Sequence, residues 1–392
     1  MSIVSAVKDN SDILYVELHS AIEWFRLADY IKDSISQKHN KVLLSFGWEA
    51  NMLVDWEKPD SIFIFDALHR VVEETGLPYD MFYFCNGNAF LEKCYKKWLI
   101  DTNQQNQIAG VFYHYSHFFN TIKNISLSDA PNKDWYNEQR YNIKPKYFSC
   151  LNNRASTSRI NALFHLHDNE LLDKSISTFV FDPDTIHKLN HLRPDIAKIL
   201  PMTLEEPGKF LRFDLVPDTF WFKTERIFFD TYINSYYDLV NETIQHLNLE
   251  TCVFPTETSV FPNFNIFPIK QNDCYSWDHN VFITEKLIRN FFNKRPFLVV
   301  CGHQSLKVLH SLGFRTFDKI LFDESYDNIV DPMERLGAVL EENLRIVNTY
   351  ELQQLHNIIY SSEMESILNH NFNRAVELSK LSDYDLLEKY LT

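Results

Sequence analysis

Glu285 and Lys286 are the residues whose types and spacing are best suited to chemistry in this chain. They follow Thr284 and the apolar residues 281–283, which predicts a helix that begins at the pair, and residues 296–300 predict a strand soon after. A carboxylate there can hold sugar hydroxyls, and an ammonium beside a helix N-terminus can hold a phosphate. The pair therefore indicates a sugar-nucleotide site, although an ordinary helix start with an acid in its first turn has the same pattern.

Two arginines are candidates for binding the phosphates of such a ligand. Arg154 lies in a predicted loop between a strand at residues 147–151 and a helix at residues 158–172, and Arg159 lies in the first turn of that helix. A cation in a first turn opposes the helix dipole, so its presence suggests an external anion. Guanidinium groups also match phosphate oxygens in shape. Two surface arginines would explain the same residues.

Carboxylates that follow apolar segments offer further contacts. Glu257 follows the apolar residues 252–255, and ligands of open α/β sheets bind beyond the carboxyl ends of strands. It can therefore hold ribose or sugar hydroxyls, or else cap a turn. Asp182 and Asp184 follow a predicted strand at residues 176–181. They can hold Mg²⁺ or Mn²⁺ beside a diphosphate, although a turn is the preferred interpretation.

A second acid cluster consists of Asp323, Glu324 and Asp327. These residues can bind a metal or cap a helix, and we favour the structural role. The histidines are dispersed, without a metal-ligand spacing. We therefore predict no metal site, while a divalent metal beside Asp182 and Asp184 stays an open alternative.

Alternating apolar segments and amphipathic stretches must position these residues. They predict an α/β fold with a mostly parallel sheet and helices on both faces. The predicted strands are residues 41–46, 81–85, 108–115, 147–151 and 176–181, and the predicted helices are residues 61–75, 89–99, 158–172, 228–247 and most of 331–392.

Length and composition favour two domains. The chain has 392 residues, of which 45% are hydrophobic and 15% aromatic, enough for a large core in each domain. A polar segment with Pro131 and Pro145 marks the boundary. We predict domains at residues 1–145 and 146–335, and a helical C-terminal extension at residues 336–392.

The net charge and the cysteine pattern limit the possible binding partners and the cellular compartment. The net charge of −15 argues against a broad basic surface for nucleic acid. Six scattered cysteines without a Cys-x-x-Cys motif predict free thiols in a reducing compartment. The N-terminus lacks the pattern of a signal peptide, and no stretch reaches the roughly 18 apolar residues of a membrane span. We therefore expect a cytoplasmic protein without a membrane partner.

The motifs together resemble a known family. Residues 283–286, with residues 295–297 and Gly302, resemble the Thr-Glu-Lys region of α1,3-fucosyltransferase-like enzymes. A longer pattern over about residues 147–330 resembles glycosyltransferase-like proteins of large tailed phages. Its pieces are residues 148–154 with Arg159, 256–258, 283–286, 296–297, 312–317 and 323–327. The resemblance implies a GT-B-like fold, in which two Rossmann-like domains face a central cleft and the C-terminal one binds the nucleotide-sugar.

The resemblance also implies roles for the donor-binding residues. Glu285 would contact the donor sugar or the ribose, and Lys286 would neutralise the departing diphosphate together with Arg154 or Arg159. Fixed cations at that point stabilise a transition state in which charge grows on the leaving group. Glu257 joins this set as a candidate for the hydroxyls. The donor would be a UDP- or GDP-sugar, and no metal cofactor would be required.

The catalytic base of the family lies in the N-terminal domain, where no motif matches. Glu49, Asp55 and Asp66 are the candidates for deprotonating the acceptor hydroxyl. Inverting and retaining chemistry both stay open.

The acceptor stays open as well. A phage setting, in the host cytoplasm, suggests a hydroxymethylated base of double-stranded DNA, and Lys93, Lys96 and Lys97 could supply part of a basic strip. The acidic net charge favours a glycan or a small molecule instead. Two rival hypotheses are a metal-dependent GT-A glycosyltransferase using Asp182 and Asp184, and a non-catalytic nucleic-acid-binding or partner-binding protein on this fold.

Overall fold

The computed structural model of the protein describes two compact units. The described residues are 12–18, 24, 26–46, 53–57, 60–115, 119, 139–141, 143–144, 146–151, 157–179, 189, 191–199, 211–212, 243–249 and 281–391, and at some of them, including Asp55, Glu285 and Lys286, only the backbone is described. The first unit comprises residues 1–120, 267–283 and 377–392, and the second comprises residues 121–266 and 284–376. The predicted domain boundaries after residues 145 and 335 remain predictions.

The first unit contains a four-stranded parallel sheet. Its elements are β1 (Ile13–Glu17), α1 (Leu27–Ser34), β2 (Lys41–Phe46), β3 (Leu53–Glu57), β4 (Asp60–Phe63), α2 (Ile64–Thr75), β5 (Phe82–Asn86), α3 (Leu91–Asp101), β6 (Gly110–Tyr113) and, near the end of the chain, α11 (Asp383–Leu391). The strand order is β1-β2-β5-β6, while β3 and β4 form a separate antiparallel hairpin.

The sequential strand order explains where the helices pack. Every crossover moves across the sheet in one direction, and right-handed crossovers then place α1, α2 and α3 on one face. Alternate strand residues such as Val42 and Leu44 join the core beneath these helices. The other face carries Leu43 and Phe112, and it packs against Leu386 and Leu387 of α11.

Local signals set the bounds of α2. The helix ends at Gly76, whose φ of 69° is left-handed, as the predicted C-terminus requires. Its predicted start at Ser61 is wrong. Residues 60–63 pair with β3 instead, so the helix begins at Ile64.

The second unit contains a five-stranded sheet. Its elements are β7 (Lys146–Leu151), α4 (Thr157–Asp168), β8 (Ser175–Phe179), α5 (Pro194–Ile199), β9 (Leu211–Arg212), β10 (Thr243–Leu249), α6 (Glu285–Phe292), β11 (Phe297–Val300), α7 (Ser305–Ser311), α8 (Pro332–Thr349), α9 (Leu352–Ile359) and most of α10 (Ser362–Leu378). The strand order is β11-β10-β7-β8-β9, and all neighbours are parallel except β8 and β9.

One predicted helix is wrong in its described part. Residues 243–247 were expected to end a helix, but they lie in β10, which pairs with β7 on one side and β11 on the other. Two buried parallel neighbours override the helical periodicity of a short apolar run. Strand propensity at Thr243 and Ile244 agrees with the outcome.

Other expectations are confirmed for the described residues. The fold is a mixed α/β fold with parallel sheets, and the described end of the chain is almost wholly helical. Cys85, Cys94, Cys150 and Cys301 are buried free thiols. Among the described residues, we find no helix with the length and apolar character of a membrane span.

Candidate functional site

The strand order of the second unit changes direction between β7 and β10. From β7 the chain moves to β8 on one side, and it later returns to β10 on the other side of β7 before continuing outward to β11. The carboxyl ends of these four parallel strands share one edge of the sheet. Open α/β sheets bind ligands at this edge, in the crevice where the strand order reverses. The crevice between β7 and β10 is therefore the candidate site.

A helix that follows a parallel strand runs antiparallel to it, so such helices begin at this edge. Among the described helices, α4 follows β7, α6 precedes β11 and α7 follows β11. α6 packs against both β10 and β11. The free N–H groups of such helix starts attract anions.

The start of α6 agrees with the sequence prediction. Glu285 is its first residue, and the Ile288 N–H donates to the Thr284 carbonyl at 3.2 Å. Leu287, Ile288 and Phe291 are buried, which fixes the helix against the sheet. Glu285 and Lys286 therefore open a helix at the carboxyl edge, the backbone setting that the donor-site prediction requires.

The start of α7 is already occupied by an anion from the chain. The buried Asp327 carboxylate accepts from Ser305 Oγ at 3.0 Å, from the Leu306 N–H at 3.1 Å and from the Lys307 N–H at 3.3 Å. An external phosphate would compete with this carboxylate. The α7 N-terminus is thus a structural contact.

The rest of the acid cluster is also structural, as predicted. Asp323 accepts from the Ser325 N–H at 3.0 Å, and Glu324 accepts from the Phe317 N–H at 2.8 Å. Burial raises the pKa of Glu324 from 4.5 to about 7, in spite of hydrogen bonds that lower it.

Arg335 fixes the loop that connects β11 to α7. Its side chain is buried, and it donates to the carbonyls of Cys301 at 3.0 Å, Ile329 at 2.6 Å and Val330 at 3.1 Å. Sequence reasoning missed this residue, since its acceptors are backbone atoms and one lies on a different element. It holds the backbone at the carboxyl end of β11 in place.

Of the two predicted arginines, Arg159 is described. It lies in the first turn of α4, as predicted, and only 6% of it is exposed. The alternative of a surface arginine is therefore wrong for Arg159. A buried guanidinium at a helix start requires acceptors that compensate both its desolvation and the helix dipole.

Five predicted residues lie outside the described part of the chain: Glu49, Arg154, Asp182, Asp184 and Glu257. Asp55 lies in β3, where its backbone pairs with Ser61.

Asp66 is described in the first turn of α2. Its Oδ1 accepts from Trp98 Nε1 at 3.2 Å, which ties α2 to α3. Burial raises the pKa of the Asp66 carboxyl, and the bond from Trp98 partly offsets that rise. A raised pKa suits a group that accepts a proton, but the bond to Trp98 gives Asp66 a structural role as well.

One group of possible metal ligands is present among the described residues. Atoms of His167, Asp168 and Asp195 lie within 4.8 Å of one another. However, Arg193 donates to Asp195 Oδ2 at 2.8 Å and to Asp168 Oδ2 at 3.0 Å, and it lowers the pKa of both carboxyls. The guanidinium already supplies the cation, so this group is an ion-pair cluster between α4 and the start of α5.

The lysines of α3 have carboxylate partners on the same helix. Lys96 Nζ lies 2.6 Å from Glu92 Oε1, and Lys97 Nζ lies 3.0 Å from Asp101 Oδ2. Local charge is therefore balanced at these two positions, which weakens the case for a basic strip there.

Comparison with known proteins adds nothing to this geometry. No family model, no curated protein and no solved structure matches the chain.

Proposed function

We propose that the protein is a glycosyltransferase that moves a sugar from a nucleotide-sugar donor to a hydroxyl acceptor. The observation that carries the proposal is the reversal of strand order between β7 and β10. The five donor-site candidates all come after these strands in the chain or lie in the first turns of helices that begin at the same edge. A crevice of this kind is where open α/β sheets bind nucleotides.

Each candidate has a chemical role in the proposed reaction. Lys286 and Arg154 or Arg159 hold the diphosphate, and their fixed charge stabilises it as the glycosidic bond breaks. Glu285 and Glu257 accept hydrogen bonds from sugar and ribose hydroxyls. The occupied start of α7 supports α6 and α4 as the phosphate-binding helices.

The GT-B arrangement of two Rossmann-like domains is part of the proposal. Its support is that each unit contains a parallel sheet with crossover helices. The first unit would supply the base that deprotonates the acceptor, from Glu49, Asp55 or Asp66. No metal is needed for this chemistry, and full activity in EDTA is the expected result. Loss of activity in EDTA, with an equal loss in Asp184→Ala, would favour the metal-dependent alternative.

We propose a glycan or a small molecule as the acceptor. The balanced charge on α3 and the net charge of −15 both favour it over double-stranded DNA. A transfer assay that compares DNA carrying 5-hydroxymethylcytosine with free monosaccharides and oligosaccharides separates the two. Transfer to the DNA alone would overturn this choice of acceptor and leave the glycosyltransferase proposal intact.

The donor site is tested by a thermal-shift screen with UDP, GDP, CDP, ADP and their sugars. A ligand at one hundred times its Kd stabilises the native state by about 2.7 kcal/mol. We expect one nucleotide family to raise the melting temperature, and Lys286→Ala and Arg154→Ala to lose most of that rise.

Lys307→Ala is the matched control, since Lys307 is an exposed lysine in the first turn of α7 at the same edge. It should bind the nucleotide as the wild type does. The absence of a shift with every nucleotide would contradict the proposed function. An equal loss in Lys307→Ala would contradict the choice of α6 as the phosphate-binding helix.

A further inference from the structure

Buried polar side chains gather at the carboxyl edge of the first unit's sheet, whereas the proposed donor site belongs to the second unit. Ser45 lies near the end of β2, Asn86 ends β5, Asn88 follows it, and His114 follows β6. Ser45, Asn86 and Asn88 are fully buried, and only 4% of His114 is exposed. The strands behind them are lined almost wholly by apolar side chains. Burial of polar groups in one place is costly and requires a reason.

Hydrogen bonds order this edge. Ser45 Oγ lies 3.4 Å from His114 Nδ1, and the His114 N–H donates to the Asn86 carbonyl at 2.8 Å. The Asn86 Oδ1 accepts from the Asn88 N–H at 2.9 Å, and the Asn88 Oδ1 accepts from the Phe90 N–H at 3.0 Å. The polar groups therefore have set orientations.

One end of the Asn86 side-chain amide has no hydrogen-bond partner among the described residues. Because Asn86 Oδ1 receives the Asn88 N–H, the amide orientation is determined, and the Nδ2 group is the other end of the amide. That nitrogen is buried and makes no hydrogen bond within the described structure. A buried donor left without an acceptor is destabilising, and native proteins contain few such donors.

A second buried donor lies on the same face of the sheet. Trp24 Nε1 is also buried without a hydrogen-bond partner in the described structure. The Trp24 ring packs edge-on against Phe46, at 6.4 Å, and Phe84, at 5.8 Å between centroids. Phe46 is the register partner of Asn86, and Phe84 precedes Asn86 by two residues on the same face. The Trp24 ring and the Asn86 side chain therefore lie on one face, at one corner of the sheet.

We propose that this corner is a binding site for a neutral, hydroxyl-bearing small molecule of the sugar class. The amide and indole N–H groups donate to a ligand oxygen. Ser45 and His114 lie on the opposite face of the sheet, with Leu43 and Phe112, so they order the edge and do not contact this ligand. Both donors at the corner are neutral, so they offer no charge to balance a charged ligand. The groups are buried, so binding requires local opening of this edge. The inference stands whether or not the proposed donor site is correct.

The test measures sugar binding by isothermal titration and ligand-observed NMR. The probes are glucose, galactose and N-acetylglucosamine, with inorganic phosphate as a charged comparison. We expect at least one sugar to bind the wild type, and phosphate not to compete with it. Asn86→Asp keeps the acceptor for the Asn88 N–H but removes the donor, so we expect about tenfold weaker sugar binding, near the upper end for a neutral hydrogen bond.

Asn106→Asp is the matched control, because it makes the same chemical change in an exposed loop of the same unit. It should bind the sugar as the wild type does. Trp24→Phe removes only the indole donor, so it tests the same corner if Asn86→Asp fails to fold. Neither substitution touches the proposed donor site, so nucleotide binding should be unchanged in both.

Two results would overturn the inference. One is the absence of binding by all three sugars, together with a crystal structure in which an internal water alone bridges Asn86 and Trp24. The other is sugar binding that is equally strong in the wild type, Asn86→Asp and Trp24→Phe, which would place the sugar elsewhere.

Discussion

His69 makes the stability of the first unit depend on pH. Only 3% of this α2 residue is exposed, and its ring packs between Tyr79, Tyr95 and Trp98. Its Nε2 lies 2.9 Å from the Tyr95 hydroxyl oxygen, which also accepts from the Ile108 N–H at 3.0 Å. Burial lowers the pKa of His69 from 6.5 to about 4. The folded protein therefore keeps this imidazole neutral where an unfolded chain would protonate it.

The sign and size of the effect follow from proton linkage. Since the folded pKa lies below the unfolded one, the unfolded state binds more protons between pH 6.5 and pH 4. The contribution of His69 to the free energy of unfolding is thus fully retained above pH 6.5 and is lost as the pH falls toward 4. The contribution from His69 changes by about 2 kcal/mol between pH 7 and pH 5, and by about 3 kcal/mol over the whole window.

His69→Gln removes the titration and keeps a polar side chain beside Tyr95. We would measure urea unfolding of both proteins at pH 7 and pH 5, and follow the His69 ring proton by NMR as a direct titration. The difference in unfolding free energy between variant and wild type should change by about 2 kcal/mol between the two pH values. His39→Gln, in a loop of the same unit, should follow the wild type. Equal pH dependence in wild type and His69→Gln, or a ring that titrates near 6.5, would refute this reasoning.

Three further predictions concern single contacts. Burial raises the pKa of Glu324 to about 7, so its contribution to stability is full below pH 4.5 and is lost as the pH rises through 7. In urea unfolding, the free energy of unfolding of Glu324→Gln should exceed that of the wild type by about 3 kcal/mol at pH 8. At pH 4.5 the two free energies should differ little. Asp327→Ala should lower the unfolding free energy by about 1–2 kcal/mol, because α7 loses its cap. Asp327→Asn should lower it by less, and equal losses in the two variants would contradict a charge-assisted cap. A Cβ at Gly110 would overlap the Tyr390 ring, so Gly110→Ala should lower the melting temperature, and a Tyr390→Leu background should relieve most of that loss.

The parts of the fold that were predictable from the sequence are those set by neighbouring residues. β2 has the predicted bounds because its apolar run Lys41–Phe46 is a strand signal by itself. The end of α2 was predictable because Gly76 adopts a left-handed conformation that favours glycine. The start of α6 at Glu285 was predictable from the apolar periodicity of Leu287, Ile288 and Phe291.

Pairing between strands explains the errors. β10 was expected to be helical, and it is a strand because β7 and β11 lie on both sides of it. The start of α2 was wrong because residues 60–63 pair with β3. The propensity of a segment does not show which strand it pairs with, so propensity alone could not decide these segments.

The types of residue in the candidate site were predictable from the sequence, but the contacts that these residues make were not. Acids after apolar segments could be recognised in the sequence, but their partners could not. Asp327 and Ser305 are far apart in sequence, and only the fold makes the carboxylate a cap for α7. Nothing in the sequence marks Asn86, and its unsatisfied donor becomes apparent only once Trp24 and the neighbouring strands are in place.

The two sheets differ in strand order, and this difference bears on the proposed nucleotide site. All neighbouring strands of the first sheet are parallel, and so are those of the second except β8 and β9. In the first, the order β1-β2-β5-β6 never reverses, so the crossover helices share one face and α11 covers the other. In the second, the return of the chain to β10 beside β7 sends neighbouring connections to opposite sides, which opens a crevice at the edge. Since Asp327 already occupies the start of α7, a diphosphate bound in the proposed site would be left with the starts of α4 and α6, where Arg159 and Lys286 lie.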